Sequence, residues 1–301
     1  GRCKVFDDSA DGYVRSEGAG CVLVKPLARA LEDGDRVLGV IKSCAINHDG
    51  KSNGLTAPNG RAQVQLIRKA LKRANLDASR IGYIETHGTG TRLGDPIEVH
   101  ALGDALQRKK RGAAAQSPLL LGSVKSNIGH LEAAAGMASL LKTLLVQQNG
   151  FIPANLHFNE PNRQIRWDQL DVQVVNSAQP WPQQPQSDLI GISAFGLSGT
   201  NVHVIVGPAP DAELQPVSAP QRDAHIFTLS ARDADALRAQ LQQCRAALEK
   251  LDGARFADWC TAHTLHSTHF PLRKALVGGN PDELRLALDI AGRTMFSFSL
   301  D

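Results

Sequence analysis

Short apolar runs in this chain alternate with stretches whose apolar positions recur every three to four residues. The runs read as strands and the periodic stretches as amphipathic helices. Residues 19–25 and 36–46 are apolar and β-branched and predict strands, with a short helix over "LARALEDGD" between them ending at Gly34. Residues 60–75 predict a helix carrying Val64, Ile67, Ala70, Leu71 and Ala74 on one face. A strand is expected at 81–86. Asp95 then predicts a helix N-cap, with Pro96 at the first helical position and Glu98 three residues after the cap, the helix running to Arg108. "PLLLGSVKS" reads as the next strand, and a helix is expected from Leu131 to Asn149, stopped by Gly150 and Pro153. Residues 151–188, with several Pro, Asn and Gln, read as a long excursion. "LIGISAF" and "TNVHVIV" follow as two strands joined by Gly196-Leu197-Ser198-Gly199.

Beyond these, "GPAPDAELQPVSAPQRDA" (207–224) is Pro- and Ala-rich and polar, which predicts a linker. A second unit follows: strand "HIFTLSA", helices over 233–251 and 254–266, strand "RKALVGG" and a helix over 281–291. That order predicts a small α/β domain. The whole chain of 301 residues is expected to be α/β, one large unit followed by a small one.

Composition narrows the function. A net charge of +3 over this length makes no electrostatic case for nucleic acid or an acidic membrane surface. No apolar run approaches the ~20 residues of a membrane helix. The five cysteines, Cys3, Cys21, Cys44, Cys244 and Cys260, are odd in number and form no Cys-x-x-Cys pair. This points to a reducing, cytoplasmic setting rather than a disulfide framework or a zinc site. Cys21 lies in the apolar run 19–24 and is expected to be core.

Two histidines stand in parallel contexts. His87 and His130 each follow an apolar strand, lie beside glycines and precede a helix, and strand ends are where sites form in layered α/β folds. Either one alone reads more readily as structural. Two together, with the Gly-rich turn "AFGLSGTN" whose backbone N–H groups can bind an oxyanion, favour a catalytic reading. The plain reading of that turn is a hairpin loop. No phosphate-binding glycine motif is present. His263, His266 and His269 are spaced by three, but Cys260 is the only soft ligand nearby and the segment offers no carboxylate, so no metal site is expected.

"ADGYVRSEGAG", "NHDGKSNGLTAPNG", "ETHGTGTRLGDPIEV", "GSVKSNIGHLEAAAG" and "ISAFGLSGTNVHVIV" together resemble the C-terminal half of a β-ketoacyl synthase domain, most closely those of modular type I polyketide synthases. The resemblance covers residues 1–207, with 208–224 as linker. Residues 225–301, opening "FTLSARDADALRAQL" after the first two positions, resemble the small α/β linker domain that precedes an acyltransferase.

The resemblance implies the second half of a thiolase-like, five-layered αβαβα fold. A lone half of such a fold is expected to expose a large apolar face. It also implies decarboxylative Claisen condensation of an acyl thioester with a malonyl-type extender. In that chemistry His87 and His130 donate hydrogen bonds to the extender thioester oxygen, and Lys125 orients the site around His130. Thr89 and Thr91 bind the phosphopantetheine arm. Phe195, Gly196 and Leu197 form the gating and oxyanion loop, Leu197 standing where an aromatic gate is common and Ser198-Gly199 where Gly-Gly is common. Asp95 and Glu98 are expected to cap a helix. The family's nucleophile is a cysteine in a Thr-Ala-Cys-Ser-Ser-type motif of the first half, absent from this sequence, and Cys3 in "GRCKVF" does not correspond to it.

The implied partners are the cysteine-bearing N-terminal half, an acyl carrier protein bringing substrate on phosphopantetheine, a neighbouring acyltransferase and a second copy of the whole synthase. No tightly bound cofactor is expected. A non-elongating ketosynthase and an inactive scaffold or interaction fragment are the alternatives.

Overall fold

The computed structural model describes residues 1–50, 57–108, 110, 117–181, 187–210 and 222–294. It divides into two compact units, Gly1–Ala212 and Glu213–Asp301. Most of the expected linker, 211–221, lies outside the described residues, as does part of the "NHDGKSNGLTAPNG" motif.

In chain order the first unit holds α1 (Leu27–Glu32), β1 (Val40–His48), α2 (Gly60–Arg73), β2 (Ile81–Glu85), α3 (Gly94–Ala105), β3 (Leu119–Gly122), α4 (Lys125–Ile128), α5 (Ala135–Asn149), β4 (Phe151–Ile152), β5 (Val172–Val174), β6 (Gln179–Pro180), β7 (Leu189–Phe195) and β8 (Thr200–Gly207). Six strands form one mixed sheet, ordered β1-β8-β7-β2-β3-β5. β2 lies parallel to β3 and β7, and β3 to β5, whereas β7–β8 and β8–β1 are antiparallel. β2 and β3 are buried at every position, as central parallel strands must be when both faces are covered.

Helix α2 forms because Asn59 caps it, its side chain accepting the Arg61 and Ala62 N–H groups, and because Lys72 and Arg73 stand in its last turn. It buries Ala62, Leu66, Ile67, Ala70 and Leu71 together with Gln63. Helix α5 follows a single 3₁₀ turn, Glu132–Ala134, instead of running unbroken from residue 131. It buries Ala135, Ser139, Lys142, Thr143 and Val146, while Leu141 and Leu145 are exposed. Those two residues, with Ile128 and Phe151, border an apolar groove of about 510 Å³.

Three expectations for this unit are corrected. Residues 19–25 form no strand; Leu23 is 96% exposed and Cys21 is exposed rather than core. No described strand pairs with that stretch, so β propensity alone does not order it. The strand expected at 36–46 begins and ends later, at Val40 and His48. The 151–188 excursion contributes β4, β5 and β6, and β5 joins the main sheet beside β3.

Beneath the sheet, Lys142 forms an ion pair of 2.8 Å with the fully buried Glu85 and donates to the Tyr83 hydroxyl at 3.0 Å. Tyr83 donates in turn to Glu85 Oε2 at 2.7 Å, and the Val124 N–H donates to Glu85 Oε1 at 2.5 Å. Glu85 thus joins the carboxyl end of β2 to the turn after β3. Burial and the neighbouring Glu85 charge push the Tyr83 hydroxyl well above its ordinary pKa, which keeps it a donor.

The second unit contains β9 (His225–Ala231), α6 (Ala234–Leu248), α7 (Phe256–His266), β10 (Leu272–Gly278) and α8 (Pro281–Thr294). β9 and β10 pair antiparallel. Phe227, Leu229, Leu241, Phe256 and Leu288 are among the residues of its core. The α/β order expected from sequence is observed. His263 packs against two mutually stacked rings, its centroid 4.6 Å from Trp259 and 4.9 Å from Phe227, and the described residues hold no group of three or more His, Cys, Asp or Glu arranged to bind a metal. Burial pushes the Cys244 and Cys260 thiols up to about 11, so both are inert at neutral pH.

Removing one member of a buried ion pair leaves its partner's charge without compensation. Lys142→Met is therefore expected to lower unfolding free energy by about 3 kcal/mol. The Lys142→Met/Glu85→Gln double variant should lose less, and urea titrations of the two variants read the difference.

Candidate functional site

The expected site residues come from three places beyond the carboxyl ends of sheet strands: the loop after β2, the segment through α4 after β3, and the end of β7 with its hairpin loop. After β2, Thr86 bonds the Gly122 carbonyl at the end of β3 through both its N–H (2.8 Å) and its hydroxyl (2.9 Å). The chain then turns through His87, Gly88, Thr89, Gly90 and Thr91. Gly90 has φ +72°, and a Cβ there would lie 3.0 Å from the Lys4 nitrogen, so only glycine fits.

Two carboxylates from one turn of α3 hold this loop. Glu98 accepts the His87 N–H at 2.8 Å and the Gly88 N–H at 2.9 Å. Asp95 accepts the Gly90 N–H at 3.1 Å and, from the chain's first segment, the Phe6 N–H at 2.7 Å. The expected capping role is thereby corrected. α3 starts at Gly94, its N-cap is Leu93 with no side-chain cap bond, and it ends at Ala105 rather than Arg108. Both carboxylates are buried, and their acceptor capacity goes to loop N–H groups nearer than any cap position. Burial pushes Asp95 up to about 6 and Glu98 up to about 7, with the Asp95 charge adding to the rise at Glu98.

The structure brings the two histidines together. The His87 and His130 ring centroids are 5.6 Å apart at 82°. Each ring is fixed at Nδ1 by a backbone N–H: Phe195 donates to His87 at 3.3 Å and Glu132 donates to His130 at 2.8 Å. An Nδ1 that accepts carries no proton, so in both neutral rings the proton is on Nε2, which is then a donor. Burial first, and the Lys125 cation second, drive both pKa values down, well below the ordinary range for His87 and to about 4 for His130. Both imidazoles are neutral at pH 7.

Lys125 opens α4 and is 2% exposed. Burial lowers its pKa, opposed chiefly by the charges of Glu85 and Glu98. Its influence on His130 is electrostatic. Cys3 is buried, and the Val14 N–H donates to its Sγ at 3.2 Å.

Thr89, Thr91, His87, His130, Phe195, Gly196 and Leu197 all line one cleft of about 1010 Å³. The Thr89 and Thr91 hydroxyls are 3.1 Å apart. Residues 196–199 form a hairpin loop closed by Gly196 N–H to the Thr200 carbonyl at 2.7 Å and Gly199 N–H to the Gly196 carbonyl at 2.9 Å. It is both the plain hairpin and a wall of the cleft, with Leu197 73% exposed at its tip.

Sequence reasoning assigned no role to four residues that shape this site. Tyr13 and Arg15 line the cleft, the Tyr13 ring 4.8 Å from that of His130. His48 Nδ1 accepts the Gly50 N–H at 3.0 Å, so its Nε2–H donates to the Ser198 carbonyl at 3.0 Å. Asp49 receives the Asn201 amide at 2.7 Å and donates its own N–H to the Gly199 carbonyl. The motifs "ADGYVRSEGAG" and "NHDG" contained these residues, but the contacts reach as far as 152 positions along the chain and have no local signature.

Comparisons with known proteins identify the class. Residues 38–159 match the family model described as β-ketoacyl synthase, C-terminal domain. Residues 161–277 match the ketoacyl-synthetase C-terminal extension, and residues 1–30 match the β-ketoacyl synthase N-terminal domain. The chain belongs to the β-ketoacyl synthases, as the C-terminal region of a modular type I polyketide synthase ketosynthase followed by its linker domain.

Among relatives, the erythronolide synthase EryA3 of Saccharopolyspora erythraea is 49% identical over 80% of this chain, which covers 7% of that protein. The polyketide synthase GfsA of Streptomyces halstedii is 43% identical over 96% of the chain, which covers 4% of that protein. Of solved structures, the oxazolomycin ketosynthase domain OzmH KS7 of Streptomyces albus is 37% identical with a TM-score of 0.84, covering 97% of this chain and 50% of that one. The ketosynthase from module 6 of the Bacillus subtilis bacillaene synthase is 32% identical with a TM-score of 0.83, covering 99% and 51%. The chain thus spans half the length of the solved ketosynthases and a small fraction of the synthases, and its fold class is theirs.

The raised carboxylates make stability pH-dependent. A carboxyl held above its ordinary pKa binds a proton in the folded state that the unfolded chain has released. Its contribution is therefore full below about 4.5 and is lost as pH rises through about 7. Denaturant titrations between pH 4.5 and 7.5 should show this decline, and Glu98→Gln should flatten it. An unchanged slope in that variant would place the titration elsewhere.

Proposed function

We propose that this chain carries the electrophilic half of a condensing site. The reaction is the decarboxylative Claisen condensation of an acyl thioester with a malonyl-type thioester on an acyl carrier protein. The acyl group is held by a cysteine of an upstream ketosynthase half. The extender loses CO₂, and its enolate carbon attacks the acyl carbonyl. The new carbon–carbon bond forms as the cysteine sulfur leaves. Negative charge gathers on the extender thioester oxygen, where the Nε2–H groups of His87 and His130 donate. The observation that carries this reading is that two neutral imidazoles, 5.6 Å apart, both have Nδ1 occupied by a backbone N–H. Two donors of fixed tautomer, pre-oriented in one cleft, are what stabilisation of a developing oxyanion requires.

The remaining residues take roles consistent with this. Thr89 and Thr91 hydrogen-bond the phosphopantetheine arm from the cleft wall. Lys125 adds to burial in keeping the imidazoles neutral. Phe195, Gly196 and Leu197 form the gating loop, with the Leu197 N–H as an oxyanion donor to the acyl carbonyl. The upstream half covers the apolar groove beside α5, an acyltransferase adjoins the linker domain, and the whole synthase works as a dimer. The isolated chain, with no acyl-holding cysteine motif in its sequence, does not condense. Retention of both histidines favours elongation over a non-elongating or scaffold role.

The test joins this chain to an upstream half bearing the cysteine. His130→Ala and His87→Ala are each expected to lower condensation kcat by roughly 10²–10³-fold while leaving acylation of the cysteine intact. Unchanged condensation would remove the histidines from the chemistry. Because His130 titrates at about 4, the parent enzyme's condensation rate should show no imidazole titration between pH 5.5 and 7.5; a midpoint near 6.5 that vanishes in His130→Ala would contradict the neutral-donor assignment.

A further inference from the structure

The hydrogen bond that fixes the His130 tautomer depends on an unusual backbone. Glu132 lies only two residues after His130, and its N–H reaches His130 Nδ1 with Glu132 at φ +51°, the left-handed region that non-glycine residues rarely occupy. Something other than local preference must hold it there.

Arg15 is placed to do so. The segment Val14–Ser16 runs against His130: the His130 N–H donates to the Val14 carbonyl at 2.8 Å, and the Ser16 N–H donates to the His130 carbonyl at 2.9 Å. Between those two bonds the Arg15 side chain extends to Glu132, with Nε 2.6 Å from Oε1 and a terminal nitrogen 3.0 Å from Oε2. A ring of contacts closes: His130 backbone, Arg15 backbone, guanidinium, Glu132 carboxylate, Glu132 N–H, His130 ring. Exposed ion pairs contribute little in general, and the two-point fork is the geometry in which one constrains orientation most.

We propose that Arg15 is a positioning residue for His130, acting through Glu132: the guanidinium fork holds Glu132 in the left-handed conformation that delivers its N–H to His130 Nδ1. The inference rests on the reading of His130 as an Nε2–H donor, but the contact can be tested without catalysis.

Amide hydrogen exchange at position 132 and the ¹⁵N resonances of the His130 ring are measured on this chain. In Arg15→Ala, exchange at position 132, corrected for intrinsic rates, is expected to accelerate roughly tenfold or more, with the Nδ1 resonance losing its hydrogen-bonded shift. Arg15→Lys, which keeps the charge without the fork, should fall between. The double variant Arg15→Ala/Glu132→Gly should recover both signals, because glycine adopts positive φ without steric cost. Parent-like exchange in Arg15→Ala, or no recovery in the double variant, overturns the proposal. Arg15 is exposed, so thermal unfolding of Arg15→Ala should match the parent; loss of folding there would also overturn a role confined to His130. In the complemented ketosynthase, Arg15→Ala should lower kcat with KM unchanged. Altered exchange with unaltered kcat would keep the positioning contact and reject the catalytic reading of His130.

Discussion

Two carboxylates on one helical turn, deprived of water and facing backbone N–H groups, fix the geometry of this site. Glu98 and Asp95 are near neighbours, both buried, and the Asp95 charge raises the cost of ionising Glu98. Their placement is tolerable because four main-chain donors, His87, Gly88, Gly90 and Phe6, converge on them. A loop rich in glycine has many conformations open to it. Anchoring it at His87, Gly88 and Gly90 restricts those, with His87 at its start. The same pair reaches into the chain's first segment through Phe6, so the strap over residues 3–16 and the histidine turn share one anchor.

Lys125 links that anchor to the imidazoles. A buried ammonium would be untenable alone, and Glu85, Glu98 and Asp95 stabilise its charge. The same charge acts on the other side of the cation, where it depresses both histidines. One buried cation thus favours ionised carboxylates at the anchor and neutral rings in the cleft. A carboxylate placed directly against either ring nitrogen would work the other way, favouring imidazolium. Both rings meet backbone N–H groups at Nδ1 instead.

The elements that were legible in the sequence are those whose stability is local or doubly buried. The α2 face could be read in part from apolar spacing: Ile67, Ala70 and Leu71 are buried as expected, with Ala62 and Leu66 beside them and Val64 and Ala74 only partly buried. β2, β3 and the first part of β7 could be read because fully buried strands are largely apolar, although β2 ends in the buried Glu85 and the strand expected over "PLLLGSVKS" stops at Gly122, short of helix α4. His87 and His130 stood out because each lies beside glycines after an apolar run; His87 does follow β2 directly, whereas helix α4 stands between β3 and His130. What failed were inferences from propensity without partners. Residues 19–25 have strand composition and no neighbouring strand among the described residues. Asp95 and Glu98 have N-cap spacing, but long-range donors claim them. Tyr13, Arg15, His48 and Asp49 act across large sequence separations, where periodicity carries no information.

The two donors are held by structures of different kinds. His130 receives its N–H from two residues away, within a segment clamped by Val14 and Ser16, and this bond involves no residue of the hairpin loop. His87 receives its N–H from Phe195, at the end of β7, more than a hundred residues along. Phe195 is also where the hairpin loop begins, and its ring is 5.4 Å from that of His87. The loop tip is tied from the far side by His48 and Asp49, through the Ser198 and Gly199 carbonyls. Any displacement of the loop that pulled on Phe195 would loosen the bond fixing the His87 tautomer, while His130 would keep its own. The hairpin therefore does two jobs at once: it walls the cleft, and it supplies the hydrogen bond that makes one of the two donors a donor.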